Sequence, residues 1–199
     1  MRKPKLTIEL VPKTCHYTNV RSVLPTKIWD KLRKTSYKKA NLKCEVCKDT
    51  GLNQGYKHRL ECHEIWEYTS DNTQLLKGLI SLCPKCHQAK HIGRSIAIGK
   101  GKEIFKHIAK VNRWTLTEVE QYVGACFQEH KERSKLKWSL NIKILIEKYG
   151  VDKNLITEDM RPKTPVAPPW KSKWKKKKAK NKKRKATIAS KKRRPSKRK

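Results

Sequence analysis

The chain has 199 residues, with 51 Lys and Arg against 17 Asp and Glu, a formal net charge of +34. That length allows one domain of ordinary size plus a tail, and the charge makes a polyanion, nucleic acid first, the expected partner. An anionic membrane surface is disfavoured because the basic tail has almost no apolar face for insertion, no apolar run reaches the length of a membrane span, and Met1-Arg2-Lys3-Pro4-Lys5-Leu6 lacks the apolar core of a signal peptide.

Residues 6–11 alternate apolar and polar and predict a short strand ended by Pro12. Thr14 to Ser22 reads as irregular. Pro25 suits the first turn of a helix. Ile28, Trp29, Leu32, Ser36 and Tyr37 follow at helical spacing and predict a helix over 25–39. Its outer face carries Lys27, Lys31, Arg33, Lys34, Lys38 and Lys39, which read equally as a solvated face or as phosphate contacts.

Cys44-Glu45-Val46-Cys47 opens the most informative stretch. Asp49-Thr50-Gly51 and Gly55 are turn residues. The β-branched and aromatic content of 58–68 predicts a strand, Thr69-Ser70-Asp71-Asn72 a turn, and 75–82 the return strand. Pro84 then opens a short helix carrying Cys86, His87 and His91, which makes ββα. After Gly99-Lys100-Gly101 the chain turns helical. Ile104, Phe105, Ile108 and Val111 mark one helix over 103–111. Thr117-Glu118-Val119-Glu120 fits a capping box for another over 118–133. Trp138-Ser139-Leu140 reads as extended, and 142–149 as a short helix ended by Gly150. The expected organisation is an N-terminal strand and helix over 1–40, a ββα domain over 41–98, a helical part over 99–160, and a linker and tail over 161–199.

Two Cys-x-x-Cys pairs can supply the four thiolates of a closed tetrahedral zinc site, so Cys44, Cys47, Cys83 and Cys86 are the expected ligands of a structural Zn²⁺. An odd total of seven cysteines suits a reducing compartment better than a disulfide framework. Cys15, Cys62 and Cys126 read as inert. His87 and His91 lie four apart, a spacing that projects both from one helix face and lets them share a divalent cation. A third ligand from the facing hairpin would complete an open site, and His63 is the natural candidate.

The order Cys-x-x-Cys, then His63-Glu64-Ile65-Trp66, then Leu82-Cys83-Pro84-Lys85-Cys86-His87 with His91 beyond it, resembles the HNH endonucleases, most of all a bacterial and phage subgroup. The resemblance runs loosely from about Thr14 to about Gly150 and leaves out the tail. It implies a zinc-stabilised ββα core; with the flanking helices read from periodicity and a disordered basic C-terminal tail read from composition, the expected fold class is α+β. The resemblance also implies metal-dependent hydrolysis of DNA phosphodiester bonds, with Mg²⁺ or another divalent cation at the catalytic site. HNH enzymes carry a metal ligand and then a histidine base on the first strand. One register makes His63 the ligand and puts Glu64 where the base belongs, a role open to a carboxylate whose pKa burial raises. The other makes His63 the base and Cys62 or Glu61 the ligand. His87 joins the catalytic set in both. The family's central Asn, which orients the base, is matched here by Gly78, with Asn72 and Gln74 as nearby substitutes. Those departures keep an alternative open: a zinc-dependent nucleic-acid-binding protein with weak or no activity, on DNA or on RNA and the ribosome.

Residues 161–170 read as a Pro-rich linker. From Lys171 to Lys199 there are 18 Lys or Arg and no acid, a block too poor in apolar surface to fold alone. Lys175, Lys176, Lys182, Lys183, Arg184, Lys185, Lys192, Arg193 and Arg194 are expected to bind phosphates without reading bases. No small-molecule substrate is expected. The expected location is cytoplasmic, on the nucleoid or in the host cytoplasm if phage-encoded, and nuclear in a eukaryote, where the basic clusters would pass as localisation signals.

Overall fold

Alternating side chains on either side of a polar turn build the centre of the domain. In the computed structural model, which describes residues 2–15 and 19–156, β1 (Glu61–Tyr68) pairs antiparallel with β2 (Thr73–Leu82). Glu61 lies opposite Leu82, His63 opposite Ile80, and Tyr68 opposite Gln74. The turn holds Asn72 at φ 59, a conformation that Asn tolerates better than most residues. A bulge falls after Ile65: Ile65 faces Gly78 and Trp66 faces Leu76, so Lys77 is the extra residue. A third strand, β3 (Ser139–Asn141), pairs parallel with β2 and completes the order β1-β2-β3. The stretch expected to be extended at 138–140 thus becomes a sheet edge.

Two apolar clusters form on the two sheet faces because strand side chains alternate. Helices α1 (Val20–Val23) and α2 (Thr26–Lys39) cover one face with Val20, Trp29 and Leu32, which pack with Trp66 and Leu76. Cys62 and Leu79 belong to this side. The short α7 (Ile144–Glu147) adds Leu145 to it. On the other face lie α3 (Pro84–Lys90), α4 (Ile92–Ala97) and α5 (Gly101–Asn112), whose Ala89, Ile92, Ile104 and Ile108 pack with Leu60 and Leu82. Helix α6 (Leu116–Arg133) lays Val119, Val123 and Cys126 onto that second cluster.

Three expectations change. Residues 6–11 bury Leu6 and Ile8 as the alternation requires, but no strand pairs with them. Helix side chains satisfy their backbone instead. The amides of Lys5 and Leu6 donate to Asn112 Oδ1 at 3.0 and 2.7 Å, Asn112 Nδ2 donates to the Leu6 carbonyl at 3.1 Å, and the Ile8 amide donates to the Tyr122 hydroxyl at 3.1 Å. The capping box of α6 uses Thr115 and Glu118, one frame earlier than Thr117 and Glu120. Both threonines have a Glu three residues on, and the left-handed Arg113 that ends α5 turns the chain early enough for Thr115 to take the role. Finally, α3 stops at Lys90, so His91 caps the helix rather than lying within it. The linker and the tail, with the nine cations named above, lie outside the described residues.

Asn112 is the buried clamp on the N-terminal segment. Asn112→Ala should lower stability in urea by about 1–3 kcal/mol, the usual effect of leaving buried backbone groups unpaired. Faster amide exchange at Leu6 and Ile8 should accompany it.

Candidate functional site

The first knuckle forms where α2 has ended and the chain bends back. The Lys48 amide closes a turn onto the Cys44 carbonyl at 2.9 Å. The Cys47 amide points at Cys44 Sγ at 3.5 Å, and the Cys86 amide at Cys83 Sγ at 3.5 Å, so the two pairs adopt matching local geometry. Lateral hydrogen bonds join the halves: the Glu45 amide donates to the Ser81 carbonyl at 2.9 Å, and the Ser81 amide to Glu45 Oε2 at 2.5 Å. The four sulfurs lie within 4.8 Å of one another, and Cys47 Sγ is 3.5 Å from Cys83 Sγ. A tetrahedron with Zn–S bonds of about 2.3 Å has S···S edges of about 3.8 Å, so the group fits zinc. Cys44, Cys83 and Cys86 are buried and Cys47 is half-buried. The Cys47 thiol beside Cys44 pulls Cys44 down to about 6, and Cys44, Cys47 and Cys86 together hold Cys83 low. Cys47 and Cys86 are pushed up in return, Cys44 being the main cause for both.

Two further residues touch the sulfurs. Gln54 Nε2 donates to Cys83 Sγ at 3.1 Å, and His107 Nε2 lies 3.1 Å from Cys86 Sγ. Neither is evident from motif spacing. His107 did carry a signal: it sits one turn after Ile104 and beside Ile108, on the face of α5 turned to the core.

The second group is His63, His87 and His91, whose ligating nitrogens also lie within 4.8 Å of one another. Ring centroids are 5.2 Å apart for His63–His87, 4.9 Å for His63–His91 and 4.7 Å for His87–His91. The His91 amide still donates to the His87 carbonyl at 3.2 Å, which preserves a near-helical offset across the end of α3. His63 is only 4% exposed, and its Nδ1 is buried with no hydrogen-bond partner. Burial first, then the charges of His91, His87 and Lys90, drive His63 down to about 2, so its ring stays neutral with a lone pair to offer. Glu61 Oε2 accepts from His87 Nδ1 at 2.5 Å, which leaves Nε2 of that ring for a cation. His58 Nε2 lies 2.8 Å from the other Glu61 oxygen. Burial pushes the Glu61 carboxyl up, but the hydrogen bond and charge of His87, then those of His58, outweigh it and hold the group low. An orphaned buried nitrogen, three converging imidazoles and a carboxylate behind one of them fit a divalent cation.

The donor set does not suit Mg²⁺. That ion takes oxygen ligands, whereas imidazole nitrogens suit Zn, Cu, Fe and Ni. Of the two expected options, Mg²⁺ or another divalent cation, these nitrogen donors suit the second.

Glu64 is not among the ligand atoms that cluster with the three imidazoles. It shares a strand parity with Cys62 and Trp66, on the α2 side, and its Oε1 accepts from the Val20 amide at 3.1 Å. Burial pushes its carboxyl up against the N–H groups of Glu64 and Val20 and the charge of His87, which is within electrostatic reach. Cys62 is likewise turned away, its thiol pushed up to about 12 by burial and then by the charge of Glu64. Asn72 and Gln74 sit at the turn end of the hairpin, far along β2 from the residue opposite His63. Gly78 lies at the bulge, where an added Cβ would meet the Tyr149 hydroxyl at 3.4 Å, and that hydroxyl accepts from the Leu79 amide at 2.9 Å.

No protein-family model, curated protein or solved structure matches the chain. Among the described residues, no helix is long and apolar enough to cross a membrane.

The two groups should behave as distinct zinc sites. His63→Ala should lose one equivalent of zinc while keeping the wild-type far-ultraviolet spectrum. Cys44→Ala or Cys86→Ala should lose the fold, because structural zinc supplies folding free energy directly. Metal analysis with circular dichroism checks both, and full zinc content in Cys86→Ala would refute the four-thiolate assignment.

Proposed function

We propose that this protein is a metal-dependent endonuclease of the HNH type that hydrolyses DNA phosphodiester bonds. The observation that carries the reading is the convergence of His63, His87 and His91 between β1 and α3, next to a four-thiol group. The net charge of +34 supports a polyanionic substrate.

In this reading Cys44, Cys47, Cys83 and Cys86 hold a structural zinc that keeps the hairpin against α3. His63, His87 and His91 hold the catalytic cation. Glu61 fixes the ring of His87, and His58 backs Glu61. A cation seated there supplies a Lewis acid for the phosphoryl oxygens and acidifies water, so phosphodiester hydrolysis does not need Glu64 as its base. Glu64 anchors the start of α1 instead. The cations of 171–199 add sequence-independent affinity for phosphate.

One observation favours a second reading. Among the described residues, the carboxylate bonded to the histidine group is Glu61, which reaches a ring nitrogen of His87, and Gly78 stands where the HNH pattern has its Asn. A protein with that site could bind nucleic acid, DNA or structured RNA, through zinc-built architecture without cleaving it.

Plasmid nicking separates the two. The nuclease reading expects cleavage with Zn²⁺, Ni²⁺ or Co²⁺ in preference to Mg²⁺, and none in His63→Ala. Glu61→Gln should cost about 10–100-fold, the usual effect of removing a partner that orients a metal ligand. Persistent duplex binding without nicking under every cation would decide for the second reading.

A further inference from the structure

The knuckle and α5 enclose a cavity that neither metal group uses. It measures about 620 Å³ and is walled by the loop after Cys47, the start of α3 and one face of α5. Five cations line it: Lys5, Lys85, Lys106, Lys110 and Arg113. Its two acids are already engaged. Asp49 accepts from the Thr50 amide at 2.7 Å, from Asn53 at 2.8 Å and from Gln54 at 3.4 Å. Glu103 pairs with Lys85 at 3.2 Å. Among the described residues, Lys5, Lys106, Lys110 and Arg113 make no salt bridge. Uncompensated like charges around one open volume repel one another and draw an anion in. The volume exceeds what a single small anion fills and suits a length of sugar-phosphate.

A duller explanation is that these cations balance the negative charge of a zinc tetrathiolate. Cys47 does line the cavity. Yet the donors that reach the sulfurs are Gln54 and His107, not the lysines. Lys106 and Lys110 stand one turn apart on α5, both exposed. Lys85, on the cavity wall, and His87 both belong to α3, two residues apart, so the cavity and the histidine group lie on different faces of one helix.

We infer that this cavity is the docking site for the DNA backbone, distinct from the histidine group and adjacent to it. The inference rests on the nucleic-acid part of the proposed function and not on cleavage. The folded domain then fixes the strand through Lys106, Lys110 and Arg113, while the tail supplies general attraction.

The test uses the full chain with its tail and a labelled short DNA duplex, with no divalent cation added, so that binding is read without cleavage. Anisotropy titrations at several salt concentrations compare the double variant Lys106→Ala/Lys110→Ala with Lys131→Ala/Lys137→Ala, which removes the same charge from exposed positions outside the cavity, at and beyond the end of α6. The cavity pair should reduce the log–log salt slope by about 1.8, two contacts at about 0.9 each. The control pair should reduce it by less than about half of one such contact, and both variants should keep wild-type zinc content. Equal reductions in the two pairs, or no change in the cavity pair, would overturn the inference. So would zinc loss in the cavity pair with an unchanged slope, which would assign these lysines to the thiolate charge. A reduced slope in a protein that never nicks leaves the docking site standing and removes only the nuclease reading. An unchanged slope in a protein that does nick has the opposite meaning.

Discussion

The register of the β1–β2 hairpin decides what this domain can do. Side chains alternate, so a slip of one residue would send His63 to the α2 face and Glu64 to the α3 face. The knuckle guards against that slip. Its first pair is hydrogen-bonded to β2 through Glu45 and Ser81, and its second pair begins at the end of the same strand. Chain segments far apart in sequence are thereby locked at one end of the hairpin, and His63 opposite Ile80 follows from that lock.

The two candidate metal groups share α3, and this couples them. Cys86 and His87 are consecutive, one directed to the sulfurs and the other to β1. Cys83 caps the helix, its sulfur accepting from the Cys86 amide. The far end of α3 is held by Lys90, which is 4% exposed, pairs with Glu9 at 2.5 Å and donates to Thr7 at 2.6 Å. A buried pair of this kind adds little net stability, because desolvation offsets the attraction, but breaking one partner leaves a buried charge. The extended N-terminal segment thus acts as a strap that fixes the helix carrying His87. Its own backbone is held by Asn112, so α5 also bears on the histidine geometry.

Much of this was legible in the chain. The Cys-x-x-Cys pairs and the His87/His91 spacing name both donor groups, and the hairpin and the long helices follow from periodicity. Adjacency in the motif drew attention to Glu64, although strand parity already joined Glu61, not Glu64, to His63. Other features depend on partners distant in sequence. Strand β3 exists only because β2 offers it an edge, and three residues carry too little pattern to announce a strand. Residues 6–11 have a strand's alternation but find helix side chains where a neighbouring strand would be. The helical pattern places His107 on the core-facing side of α5, but its partner Cys86 is set only by how α5 packs.

Strand parity also bears on the chemistry. In a regular strand, a residue directly after a metal ligand points to the opposite face, so a base placed there needs a local twist to reach the same substrate. The twist available here is the bulge, and it falls after Ile65, too late to turn Glu64. Glu61, which shares the face of His63 two residues away, is committed to His87 and His58. Under the proposed reading, the protein's share of the chemistry is therefore to hold and orient three imidazoles and to line up the strand. A hard, oxygen-seeking ion would gain little from that seat. A nitrogen-seeking cation held by His63, His87 and His91 would supply an acidified water, and hydrolysis would then need no separate carboxylate base at position 64.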